Sequence, residues 1–158
     1  RITNLCSALD KSIDPTAIAL STIRNLYDGI STEELDQISA KVAESFKLIH
    51  PDYSTLAARI LVSNLHKTTP VSFSKCMGII ASRLSNTSKR HYDFIADNAT
   101  ALDNMIINDN DYMFDYVGFK TLEYSYLFKD KEYILQPEYA IYSQSNGDKS
   151  KIEIKLEN

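Results

Sequence analysis

The sequence predicts a mainly α-helical bundle with a small β-hairpin near its C-terminal end. Three observations carry that prediction. Apolar side chains recur at helical spacing through the first two-thirds of the chain. Start and stop signals punctuate the pattern, at Asp14-Pro15, at Ser31 with Glu34, and at Pro51. The last part of the chain changes character: "KIEIKL" alternates with period two after the turn signal Asn146-Gly147.

Each element has its own local reason. Ile2, Leu5, Cys6 and Leu9 stand at helical spacing at the start. "SIDPTAIALSTIRNLYDG" offers Asp14 as N-cap, Pro15 at the first helical position and Asp28-Gly29 as a stop. "STEELDQISAKVAESFKLI" begins with a capping box, Ser31 to Glu34, and stripes Leu35, Ile38, Val42, Phe46 and Ile49 down one face. In "HPDYSTLAARILVSNLHK" Pro51 takes the first helical position, and Tyr53, Leu56, Ala57, Ile60, Leu61 and Leu65 form a core-facing stripe. Beyond "KTTPVS" two further helical patterns run over roughly 72–84 and 88–107, with the polar linker "SNTSKR" between them. "NDNDY" (108–112) is a turn cluster, and "MFDYVGFKTLEYSYLF" is the densest hydrophobic stretch. "YLFKDKEYIL" reads as a hairpin around Lys129 to Lys131.

Composition narrows the function. A chain of 158 residues, 44% hydrophobic and 24% charged, fits one medium soluble domain or two small ones. Net charge is −4, and the basic residues are scattered or interrupted by acids, so no nucleic-acid footprint is present. No apolar run reaches the ~20 residues needed to cross a bilayer. Cys6 and Cys76 each lie in an apolar helical pattern and read as buried free thiols, which fits a reducing compartment and a cytoplasmic location. Those two cysteines and the dispersed His50, His66 and His91 do not make a zinc site. The chain starts at Arg1 rather than Met, so the sequence is compatible with residues upstream, a targeting segment included.

Most catalytic constellations are absent: there is no glycine-rich phosphate loop, no His-x-x-x-His pair and no serine elbow. The carboxylate pairs Glu33/Glu34 and Asp109/Asp111 read as helix-start and turn chemistry. One arrangement points further. Thr32 and Asp36 lie one turn apart at the start of a helix, where unpaired N–H groups and the helix dipole favour a phosphate or ribose oxygen. If helices 32–49 and 52–66 pair antiparallel, Lys67 returns beside them. Hydroxyl, carboxylate and ammonium together suit a nucleotide. The bland alternative is that Thr32 and Asp36 only cap and Lys67 only offsets the helix dipole.

"LYDGISTEELDQISAKVAE", "HPDYSTLAARILVSNLHK" and "FDYVGFKTLEYSYL" together resemble the N-terminal part of the large subunit of class I ribonucleotide reductases, of the eukaryotic and viral type. The resemblance covers residues 1 to about 143 and keeps the family's order and approximate spacing. It implies a partial ATP cone over 1–70, a helical N-terminal subdomain over 71–143 and a divergent tail over 144–158. It also implies that Thr32, Asp36 and Lys67 contact ATP or dATP as allosteric effector, with no cofactor and no catalytic residue in this segment. The cone's strands would precede Arg1, and the barrel with its redox and radical cysteines would follow Asn158; neither Cys6 nor Cys76 corresponds to them. Implied partners are a reductase small subunit and further copies of the chain. The aromatics of the "GFKTLE" helix would pack as core between the subdomain and the barrel.

Departures from the pattern are Tyr124 where the family has arginine, "ILQPEYAIY" in place of a more charged segment, and an unrelated sequence after Tyr142. They raise a second reading, a truncated or pseudo-enzyme binding module descended from that subunit. A transcriptional regulator built on an ATP cone is excluded, because it would need a four-cysteine zinc ribbon and a basic surface.

Overall fold

Small side chains on one helix and apolar ones around most of the next dictate the centre of this fold. In the computed structural model, which describes residues 1–83, 89–129 and 134–135, α3 spans Thr32–Ser45 and α4 spans Asp52–Thr68. Ser39, Ala40 and Ala43 of α3 are buried and let the two backbones approach closely. Helix α4 buries Tyr53, Leu56, Ala57, Ala58, Ile60, Leu61, Val62 and Leu65, which is more of its circumference than the predicted stripe. The pair is antiparallel: Phe46 and Tyr53 rings meet at one end, 5.4 Å between centroids, and Asp36 meets Lys67 at the other.

Two of the predicted caps are in place, while Pro51 stands one position earlier than expected, as the N-cap of α4. Asp14 accepts from Thr16 N at the start of α2 (Pro15–Ile23), and both halves of the Ser31–Glu34 capping box form at the start of α3. Three boundaries differ from expectation. The opening helix, α1, is only Ile2–Leu5, and Ala8 then adopts a left-handed φ of 60°. Helix α2 ends at Ile23 rather than at Asp28-Gly29: Thr22 Oγ1 and Asn25 Nδ2 bond the carbonyls of Ile18 and Ser21, competing with continuation, and Gly29 (φ 84°) serves the later turn. The α3 stripe loses Ile49, which is 73% exposed, because Phe46–Leu48 tightens into a 3₁₀ turn and shifts the face.

The pattern over 72–84 becomes α5 (Phe73–Arg83), whereas 88–107 breaks into α6 (Lys89–Asp97) and α7 (Ala99–Met105). Asn98 sits at the break, its side-chain amide donating to Phe94 O at 2.8 Å. Residues 108–113 form a 3₁₀ turn, and α8 (Tyr116–Ser125) packs on α4. Asp115 caps α8 by accepting from Gly118 N at 2.7 Å; a Cβ at that glycine would lie 2.9 Å from the capping oxygen. Among the described aromatics of residues 116–126 only Phe119 is buried, with Tyr116 partly so, while Tyr124 is 90% exposed. Within this chain a single face of α8 meets α4, and the expected contact with a barrel involves residues beyond it.

Two packed groups result. One joins α1–α4, α8 and the 108–113 turn through a shared core; the other, around Cys76 and Ile80, joins α5 to its neighbours. Cys76 is buried, Cys6 is half-buried, and both thiols are free. Burial pushes the Cys6 thiol upward against the opposing pull of Arg59. The described part is mainly helical, and a β-hairpin is not supported as an element of it. Only the two-residue strands β1 (Phe128–Lys129) and β2 (Ile134–Leu135) pair there, while the expected turn around Lys131 and the "KIEIKL" strand lie outside the described residues.

Candidate functional site

The antiparallel hairpin brings the first turn of α3 against the last turn of α4. Asp36 is buried, and Lys67 Nζ lies 3.0 Å from its Oδ2. A second cation completes the cluster. Arg1 Nη1 reaches both carboxylate oxygens, at 2.5 and 2.6 Å, and its Nη2 donates to Ser63 Oγ at 3.0 Å. Ser63 stands one turn before Lys67 on α4, so the two present their heads to the same place. Thr32 lies one turn before Asp36 at the exposed start of α3, and its side chain makes no hydrogen bond to Asp36 or Lys67 among the described residues.

The structure thus joins two of the three residues singled out from the sequence and leaves Thr32 at the rim. It adds Arg1 and Ser63. Nothing local announces them, since Arg1 is 35 residues from Asp36 in sequence.

The electrostatics are asymmetric. The Asp36 side chain is 10% exposed, against 38% for Arg1 and 50% for Lys67. Two cations on one carboxylate leave a local excess of positive charge. Exposed ion pairs contribute only about 0–1 kcal/mol, so a multiply charged anion can draw the Lys67 head away at little cost. Of the α3 first-turn amides, the capping box takes Glu34 N; a helix start also leaves those of Thr32 and Glu33 without an intrahelical acceptor. Hydroxyl, carboxylate, cations and free amides at one place fit a nucleotide's sugar and phosphates. Metal binding has no comparable site: among the described residues no group of three His, Cys, Asp or Glu side chains could hold an ion.

A shallow cavity of about 160 Å³ lies elsewhere, between the end of α4 and α5, lined by His66, Pro70, Phe73, Cys76 and Met77 among others. It includes none of Thr32, Asp36 and Lys67.

Residues 1–68, which contain the whole cluster, match the ATP cone domain family. The match covers less than half of the chain. Over most of its length the chain is also similar to known enzyme subunits. It is 41% identical over 144 residues to the ribonucleoside-diphosphate reductase large subunit of Caenorhabditis elegans, which covers 85% of this chain and 18% of that protein. Its identity to the vaccinia virus large subunit is 39% over 145 residues (86% and 19%), and to large chain 2 of Saccharomyces cerevisiae 38% over 138 residues (82% and 16%). Residues 1–68 are therefore similar to an ATP cone, and most of the chain is homologous to ribonucleoside-diphosphate reductase large subunits. It spans less than a fifth of the length of these relatives.

Proposed function

We propose that the Asp36 cluster is the site where ATP or dATP binds as allosteric effector, and that the chain serves as the effector-sensing N-terminal segment of a reductase large subunit. The observation that carries this reading is the meeting of Lys67 and buried Asp36 at the open start of α3, inside residues 1–68. Lys67 supplies a mobile cation for phosphate, Asp36 a fixed acceptor for a sugar hydroxyl or an adenine amine, and Thr32 a rim hydroxyl. Arg1 neutralises Asp36 while no anion is bound. An effector bound here acts through its different affinity for active and inactive assemblies of the whole enzyme.

On this reading residues 1–70 form the cone-derived region, 71–143 the helical subdomain and 144–158 a divergent tail. Reduction of ribonucleoside diphosphates belongs to parts of the enzyme beyond this segment, with a small subunit and further copies of the chain as partners, in the cytoplasm. The exposed Val117 and Tyr124 of α8 suit packing against such a further part. The binding claim is tested by titrating ATP and dATP into the full natural chain. Lys67→Ala weakens both by about tenfold, the loss of one charged hydrogen bond to phosphate; unchanged affinity rejects the assignment.

A further inference from the structure

Helix α4 carries two adjacent stripes with different partners. Ser63 and Lys67 face the Asp36 cluster. Arg59 and His66 face the turn at 108–113, His66 Nε2 lying 2.8 Å from Asp111 Oδ2, while Ser54, on another side of the helix, accepts from Tyr116 N at 3.3 Å. The His66 ring also meets Tyr112 edge-on, 5.6 Å between centroids.

Of the residues bonded to that turn, Arg59 also reaches the chain's first segment. Its Nη1 donates to Leu5 O at 2.8 Å and Ser7 O at 2.6 Å, and its Nε to Tyr112 O at 3.3 Å. The two carbonyls of the first segment are that of Leu5, the last residue of α1, a helix too short to hold itself, and that of Ser7, just before the left-handed Ala8. That same short segment begins with Arg1, whose guanidinium grips Asp36. One planar cation thus fastens both the segment that delivers Arg1 and the turn that receives His66.

We propose that Arg59 is a positioning residue that couples the effector site to the 108–113 turn. The inference rests on the reading of the Asp36 cluster as an ATP or dATP site. An anion that competes with Asp36 for Arg1 and Lys67 loads the first segment, and Arg59 passes that load to Tyr112 O rather than letting α1 move alone. His66 and Asp111 hold the far side of the turn to the same helix, so it shifts as a unit.

The test is hydrogen–deuterium exchange on the full natural chain, with and without saturating ATP, alongside an ATP titration. ATP is expected to change exchange at the amides of 108–113 in the wild type. Arg59→Gln is expected to bind ATP about fivefold more weakly, the low end of typical coupling, and to lose the response at 108–113. Exchange in the α3–α4 core stays as in the wild type, which a merely structural role would not predict. Arg59→Lys, keeping the charge and one reach, recovers part of the response. If Arg59→Gln shows wild-type affinity and a wild-type response at 108–113, the inference is overturned. A wild type that binds ATP without any change at 108–113 overturns it too, whether or not either variant folds. If Lys67→Ala binds ATP as the wild type does, it is the reading of the site that fails, and the coupling loses its premise.

Discussion

Helices α3 and α4 differ from α5–α7 in how they are held. The first pair shares a core in which Leu56, Ala57, Ala40 and Ala43 have no exposed surface. Among the described residues the second group fully buries only Cys76 and Ile80, neither of them in α6 or α7, and Phe94 and Met105 are exposed. The caps differ in the same sense. Glu34 and Ser31 satisfy the start of α3 from within one turn. The start of α5 has a longer local cap, Lys75 N donating to Ser72 Oγ at 3.4 Å, and adds to it a partner delivered from α7: Asp103 accepts from Ser74 N at 2.8 Å and Ser74 Oγ at 2.7 Å. One region is stabilised by burial and local capping; the other relies on a polar tie between helices. A site that must place Asp36 and Lys67 within hydrogen-bond reach is built on the first kind.

The largest expected contrast is in core truncation. Leu56→Ala should destabilise the chain by about 3 kcal/mol or more, because neighbours on several sides cannot collapse into the space. Ile80→Ala, at the shallow edge of α5, should lose about 2 kcal/mol or less. Urea unfolding followed by helical circular dichroism measures both, and equal losses would break the contrast. Ser31→Ala removes the hydroxyl half of the capping box and should lose about 1 kcal/mol by the same assay.

A smaller effect separates the caps by pH. Hydrogen bonds from the Ser74 hydroxyl and amide hold the Asp103 carboxyl below the usual carboxylate range. A carboxyl lowered by folding stabilises fully above its unfolded value, near pH 4, and that contribution is lost as pH falls through the lowered folded value. Glu34 is lowered likewise, first by the Ser31 amide and then by its hydroxyl and Tyr27. Both caps weaken on acidification, but α5 has less burial to retain it. Amide exchange across Phe73–Arg83 should therefore rise at a higher pH than across Thr32–Ser45, and Asp103→Asn should bring that rise to neutral pH. Simultaneous loss of both helices on acidification would remove the distinction.

What could be read from the sequence follows the same division. Asp14-Pro15 and Ser31 with Glu34 announce themselves because both partners lie within one turn. The meeting of Asp36 and Lys67 was also accessible, since a short connection between two amphipathic helices forces an antiparallel pair and sets the first turn of one by the last turn of the other. Arg1, Ser63 and Asp103 were not, because their partners lie 29 or more residues away and no periodicity links them. The break at Asn98 is of an intermediate kind. An asparagine inside a helical pattern ends it only when its amide turns back onto the preceding carbonyl, and the surrounding packing decides that. For α8 the dense aromatic composition shows that a large apolar surface exists but not what covers it; α4 covers only one face.

The central claim is that Asp36 and Lys67 act together on one nucleotide. It is tested most directly by a double-mutant cycle of ATP affinity, measured calorimetrically on the full natural chain with Asp36→Asn, Lys67→Ala and the pair combined. The account predicts that each single change weakens binding and that the double variant loses clearly less than the product of the two losses, because each residue's contribution depends on the other. Two single variants with wild-type affinity would contradict it, and would leave the ion pair as a fastening between α3 and α4.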